Sequence, residues 1–204
     1  MKRPIILLLV LLGFFSEALS QTHVYLGGGI SALRINWLRD NEIFFGEEGK
    51  GKGVAWSYNF SMLAKSDVSN NMALSLGVMY NVNEFEYSAS SRGIDPFSGA
   101  FYSRYAIPLR LHWTVYSNIY LSGGVSLNSL YRQEFRFSDG GVSSVSENYR
   151  PDFSIACGVG GEWKHFLLDV LFGRSLSESE LSFRNHYWTI DFNVYYRILS
   201  SEKE

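Results

Sequence analysis

The stretch RYAIPLRLHWTVYSNIYLSGGVSLN, Arg104 to Asn128, decides how the chain is read. In its first half Tyr105, Ile107, Leu109, Leu111 and Trp113 alternate with Ala106, Pro108, Arg110, His112 and Thr114. Beyond a short polar interval at Tyr116–Asn118, Ile119, Leu121, Val125 and Leu127 alternate with Tyr120, Ser122, Gly124, Ser126 and Asn128. Alternation with period two marks a strand whose two faces meet different surroundings. One face is large and apolar. The other sets an arginine and a histidine among small residues, and a soluble core does not accept such groups without partners. A sheet with hydrocarbon on one side and a polar interior on the other accepts both faces.

The same alternation recurs along the chain. Val54, Trp56, Tyr58, Phe60 and Met62 oppose Ala55, Ser57, Asn59 and Ser61. Met72, Leu74, Leu76, Val78, Tyr80 and Val82 oppose Ala73, Ser75, Gly77, Asn81 and Asn83. Phe153, Ile155, Cys157, Val159 and Trp163 oppose Ser154, Ala156, Gly158, Gly160 and Glu162. Trp188, Ile190, Phe192, Val194 and Tyr196 oppose Thr189, Asp191, Asn193, Tyr195 and Arg197. Weaker segments at His23–Arg34 and Phe166–Arg174 bring the count to eight.

A soluble sandwich could share this pattern with its apolar faces turned inward. Segment length argues against it. Soluble strands run to about 5–6 residues, whereas strands crossing hydrocarbon at a tilt need about 9–11. The connections argue further. Long polar stretches (Ile35–Lys52, Ser88–Gly99, Arg132–Pro151, Ser175–Asn185) alternate with short ones (Lys65–Asn71, Tyr116–Asn118, Lys164–His165). Outer-membrane barrels alternate long extracellular loops with short periplasmic turns in this way. The fold expected is therefore all-β: an eight-stranded antiparallel up-and-down transmembrane barrel, with both termini periplasmic.

The N-terminus fits that destination. Met1-Lys2-Arg3 is basic, Ile5 to Phe15 is apolar, and Ala18-Leu19-Ser20 supplies small residues before Gln21. This reads as a signal peptide over residues 1–20, leaving residues 21–204 as one outer-membrane barrel domain. The single cysteine, Cys157, allows no internal disulfide, and the net charge of −2 argues against a nucleic-acid partner.

RYAIPLRLHW followed by a short turn and IYLSGGVSLN resembles the central hairpin of the PorT-type outer-membrane β-barrel family. ACGVGGEWKHFLLDVLFGRSL resembles the next hairpin of that family, and the general architecture is similar to OmpX-like eight-stranded barrels. The resemblance covers most of Gln21 to Ile198. It implies an envelope protein and, through the PorT-type likeness, an accessory role in protein secretion. Such chains commonly end on an aromatic residue of the last strand, whereas this one continues past Tyr196 through RILSSEKE.

An eight-stranded barrel is just wide enough for side chains to fill it. The ionisable residues expected inside are Arg110, His112, Glu162, Asp169, Asp191 and Arg197. They read first as a polar network that fills the barrel, because buried charges must be paired, and second as a proton path or ligand site. Glu162 and Asp169 flank one short turn and are expected to lie close together, relieved by Arg110 and Arg197. Pro108 is expected at a bulge or a strained turn of the wall.

Enzymatic signatures are weak. Of His23, His112, His165 and His186, only His186, near Ser182 and Glu180, suits a rim-sited lipid A hydrolase. GKGKG at Gly49–Gly53 lacks P-loop spacing. No metal or cofactor is expected, and neither is catalysis. The leading expectation is a non-enzymatic structural or interaction protein of the outer membrane. Its expected partners are outer-membrane lipid and lipopolysaccharide, the barrel-assembly machinery and envelope proteins, with Phe44, Phe45 and Phe97 of the loops read either as adhesive contacts or as packed on the rim or anchored in lipopolysaccharide.

Overall fold

Alternation along a strand becomes two separate surfaces once neighbouring strands pair in register. The computed structural model describes residues 22–36, 52–86, 97–137, 140–145, 151–176 and 187–201. The expected signal peptide, Phe44, Phe45 and His186 lie outside these residues.

The strands are β1 (Thr22–Asn36), β2 (Lys52–Ser69), β3 (Met72–Glu86), β4 (Phe97–Tyr116), β5 (Ile119–Phe137), β6 (Val142–Val145), β7 (Asp152–Trp163), β8 (Phe166–Ser175) and β9 (Tyr187–Ser201). All pairings are antiparallel, and β1 pairs with β9 over Thr22–Ile35 while β4 pairs with β5, so the sheet closes. Eight strands go round the ring. The short β6 adds to the upper part of β5 at Gln133–Arg136, above the point where β7 takes over that edge at Ile119–Asn128. Closure leaves no open edge around the ring, the only way a sheet satisfies its backbone in hydrocarbon.

The outer face is apolar. Leu26, Ile30, Phe60, Leu109, Leu111, Val125, Val159, Val170, Phe192 and Val194 all point outward and are exposed. The inner face is buried, with Ser57, Asn59, Ser75, Asn81, Asn83, Ser122 and Asn193 among its members. Large side chains point inward too. Tyr25, Leu63, Tyr120, Leu167 and Tyr195 form a buried cluster inside the barrel. A closed barrel with apolar residues outside and polar residues inside is stable only in lipid.

Three boundaries differ from the sequence reading. β2 continues to Ser69, so the first short turn is Asn70–Asn71 and Lys65 belongs to the wall. β5 continues to Phe137, and β6 occupies part of what reads as the third long loop. Pro108 sits at no bulge, because the β3–β4 register is unshifted there. Instead the ladder is interrupted between the Leu76–Leu109 and Met79–Ala106 pairs, where the missing proline donor falls. The gap is opposite Gly77, where an added Cβ would already stand 2.8 Å from the Met62 carbonyl and 3.5 Å from the Pro108 ring.

All three short turns (Asn70–Asn71, Ser117–Asn118, Lys164–His165) lie at the end where β1 begins and β9 finishes. In a Cys157→Ser background, a cysteine replacing Ser143 should react with a membrane-impermeant maleimide on intact cells. One replacing Ser117 should react only after the outer membrane is permeabilised. The reverse pattern would invert the barrel.

Candidate functional site

The strands bring their inward side chains together in two tiers. The lower tier lies near the short turns. Tyr25 of β1 donates to Glu162 Oε1 at 2.6 Å, and Lys65 of β2 pairs with the other oxygen of the same carboxylate. Lys65 also lies over the Tyr120 ring, 5.5 Å from its centroid. Tyr120 of β5 hydrogen-bonds Asp169 of β8, and Arg110 Nη1 of β4 reaches the other carboxylate oxygen at 3.3 Å. His112 is buried edge-on to Tyr120 with ring centroids 4.9 Å apart, and its Nε2 meets Ser75 Oγ at 2.7 Å. Each carboxylate thus has one cation and one tyrosine hydroxyl, which is what burial of a charge requires.

Glycine makes this tier possible. A Cβ on Gly160 would stand 2.3 Å from Tyr120 Oη, so any side chain there would drive the ring away from Asp169.

The upper tier is built on Asp152 and Asp191. Asn128 Nδ2 donates to Asp152 Oδ1 at 2.6 Å, and Tyr187 Oη donates to the same oxygen at 3.3 Å. The Arg104 guanidinium lies over the Tyr187 ring at 4.9 Å. Ser31 and Thr189 donate to the two oxygens of Asp191. Asn59 Nδ2 donates to Asn193 Oδ1 at 2.9 Å. Between the tiers is a cavity of about 50 Å³ lined by Asn81, Arg104, Arg110, Asn128, Thr189 and Asp191 among others. It has room for a few water molecules and is too small for a solute path.

Of the six ionisable residues expected inside, Arg110, His112 and Asp169 are buried, while Glu162 and Asp191 are half-buried. Arg197 is elsewhere. Its guanidinium bonds the Lys164 carbonyl and lies 3.5 Å from His165 Nδ1, and its backbone N–H donates to the His165 carbonyl. The register explains the correction. Asp169 pairs with Asn193, and Arg197 follows four residues further down β9, about 13 Å along a strand. Lys65 and Arg110 therefore serve the two carboxylates. The polar run Lys65–Asn71 reads as a turn and so hides Lys65, although the inward positions Ser57, Asn59 and Ser61 continue in step to Leu63 and Lys65. Arg104 and Asp152 lie at positions of the same inward period, and the tyrosines were not read as hydrogen-bond partners.

Two serine–histidine contacts occur, Ser75–His112 inside the barrel and Ser200 Oγ–His23 Nδ1 at 2.9 Å near the periplasmic end. Among the described residues neither imidazole is hydrogen-bonded to a carboxylate, so neither contact is a triad. Among the same residues no group of three or more His, Cys, Asp or Glu could hold a metal.

No protein-family model matches the chain, and no curated protein sequence does either. Solved structures do. Ail, the attachment invasion locus protein of Yersinia pestis, solved with the heparin analogue sucrose octasulfate, is similar at 13% identity and a TM-score of 0.51, over 87% of this chain and 98% of that one. Neisserial surface protein A is similar at 15% identity and a TM-score of 0.52, over 86% of this chain and 97% of that one. The chain has the fold of these outer-membrane barrels.

The geometry separates two arginines by their expected cost. Arg110→Ala leaves Asp169 buried without its cation and should destabilise the barrel by about 3–5 kcal/mol. Arg197→Ala, at the rim, should cost under about 1 kcal/mol. Gly160→Ala should cost about 1–3 kcal/mol through displacement of Tyr120. Urea titration followed by the gel shift between folded and unfolded barrel measures all three. Equal midpoints for the two arginine variants would dismiss the lower tier as a structural element.

Proposed function

We propose that this chain is a non-enzymatic integral protein of the Gram-negative outer membrane, with a filled lumen and a structural or interaction role at the cell surface. One observation carries the reading. Side chains from seven of the eight wall strands interlock across the lower lumen through Tyr25, Lys65, Ser75, Arg110, His112, Tyr120, Glu162 and Asp169. An array of this kind fills a narrow barrel and leaves no route for a nutrient or a peptide. It also buries the one Ser–His contact inside the lumen away from any substrate.

The interaction role takes support from β4, β5 and β6. β5 continues nine residues beyond Asn128, where its pairing with β7 ends, and it is flanked there by β4 and β6. That part of the sheet stands above the barrel on the extracellular side, available to an envelope partner. Assembly through the barrel-assembly machinery and contact with lipopolysaccharide belong to the same reading. A role as accessory component of a secretion system is a second reading, favoured by the PorT-type sequence resemblance.

Liposomes carrying the refolded chain should not swell in iso-osmotic sugar. The double substitution Tyr120→Ala with Tyr195→Ala, which empties part of the lower tier, should raise permeability. Swelling of wild-type liposomes would overturn the filled-lumen reading. Deletion of the gene should leave lipid A acylation unchanged, and a changed acylation pattern would reassign the protein to the hydrolases. Loss of a secreted cargo on deletion would select the secretion role.

A further inference from the structure

The outer face breaks its own rule at one end of β8. Along this strand Phe166, Leu168, Val170 and Phe172 point outward, and the next outward position is Arg174. Its guanidinium lies over the ring of Trp188 on β9, 4.6 Å from the centroid, and Trp188 in turn packs on Phe172 at 5.1 Å. Arg174 and Trp188 are directly paired in the β8–β9 ladder, one residue from the ends of both strands. Among the described residues Arg174 has no carboxylate partner.

The depth of this pair follows from the strand geometry. At the other end of β8, in the turn that joins it to β7, Lys164 lies over Trp163, 5.4 Å from the ring centroid. Trp163 pairs with Phe166 and Trp188 with Arg174, so the two tryptophan levels are the levels of Phe166 and Arg174 on β8, eight strand residues apart. At about 3.3 Å per residue and a tilt near 40°, that is about 20 Å along the membrane normal between the two rings, against an apolar band about 25 Å tall in an outer-membrane barrel. The two cation–aromatic pairs therefore bracket the hydrocarbon. Lys164 marks the periplasmic interface, and Arg174 marks the extracellular one.

A cation at that height meets lipid headgroups. Tryptophan at an interface sits among headgroups with its ring against the acyl boundary, and here it also holds the arginine flat and oriented. A guanidinium with its fork unoccupied by carboxylate fits a phosphate through two parallel hydrogen bonds. We propose that Arg174 and Trp188 form a binding site for the phosphorylated headgroup of an outer-leaflet glycolipid. Arg174 takes the phosphate, while Trp188 and Phe172 support the first part of an acyl chain. This rests on the outer-membrane reading above, because only there does this rim face that leaflet.

The test uses the refolded chain in detergent micelles, with lipid binding followed by native mass spectrometry. Diphosphoryl lipid A, dephosphorylated lipid A and inorganic phosphate serve as probes. The wild type should bind diphosphoryl lipid A about tenfold more tightly than the dephosphorylated form, the scale of one charge-assisted contact. R174Q should lose that preference, R174K should keep part of it, and K164Q should keep all of it. The folded gel band reports whether each barrel is intact, and R174K decides the matter should R174Q fail to fold.

Undiminished preference in R174Q, or equal binding of the two lipids by the wild type, would overturn the site. Competition by inorganic phosphate at the concentration of the lipid would replace the lipid with a free anion and overturn the proposal as stated. Density-gradient fractionation of cell envelopes tests the outer-membrane reading by itself. A failure there would leave the micelle result standing as a separate fact.

Discussion

Backbone hydrogen bonding in hydrocarbon is the constraint on which this structure depends. Each peptide group left unpaired in the bilayer costs several kcal/mol, so a sheet in lipid must close on itself. The β1–β9 ladder is the closure, running from Thr22–Ser201 to Ile35–Tyr187 with one irregularity at Val24–Tyr25. Further irregularities lie at Asp67–Ser69 in the β2–β3 ladder and at Phe97–Gly99, Ser103–Arg104 and Thr114–Tyr116 in the β4–β5 ladder. Where Pro108 lacks a donor, the β3–β4 ladder shows a local gap and the register is preserved on both sides. A slip of one residue there would have turned Arg110 and His112 to the lipid.

Closure creates the second problem, a narrow interior lined by side chains from every strand. Small residues alone would leave it hollow, and apolar residues alone would erase the difference between the faces. The chain solves this with tyrosines. Tyr25 and Tyr120 fill volume with their rings and donate hydroxyls to Glu162 and Asp169, while Tyr187 does the same for Asp152 in the upper tier. Each such hydroxyl stands beside a cation on the same carboxylate or near the same ring, Lys65, Arg110 and Arg104 respectively. Charge and volume are satisfied together, which is why the glycine at 160 matters as much as the charges do.

The outer surface follows a different logic. Along β8 it is apolar, and a cation over a tryptophan stands at each end, Lys164 over Trp163 and Arg174 over Trp188. The Tyr80, Tyr105 and Tyr131 rings, 5.2 and 5.5 Å apart in succession, form an aromatic ladder across β3, β4 and β5 on the outer face. Aromatic contacts are thus spread over several strands of the outer face, while the extended ends of β4 and β5 pair with each other and with β6 beyond the β5–β7 ladder.

The alternation in Arg104–Asn128 separates the two faces and puts Arg110 and His112 on one side of the wall, while the repeat of that pattern along the chain, with the segment and connection lengths, carries the barrel and its strand count. A period-two pattern is local and so legible in the sequence, and with hydrocarbon on one face a slip of one residue is excluded. The alternation of long and short connections likewise determined which ends are periplasmic. Partner choice inside the lumen was not legible in this way. Glu162 meets Lys65 across 97 positions of sequence, and Arg110 meets Asp169 across 59. Which of several inward cations reaches a given carboxylate depends on strand stagger and tilt, quantities set only when the ring closes. Arg197 shows the consequence. Its face was readable from its neighbours, but its depth, four residues below the partner of Asp169, belonged to the register of β8 on β9 and to nothing the sequence states locally.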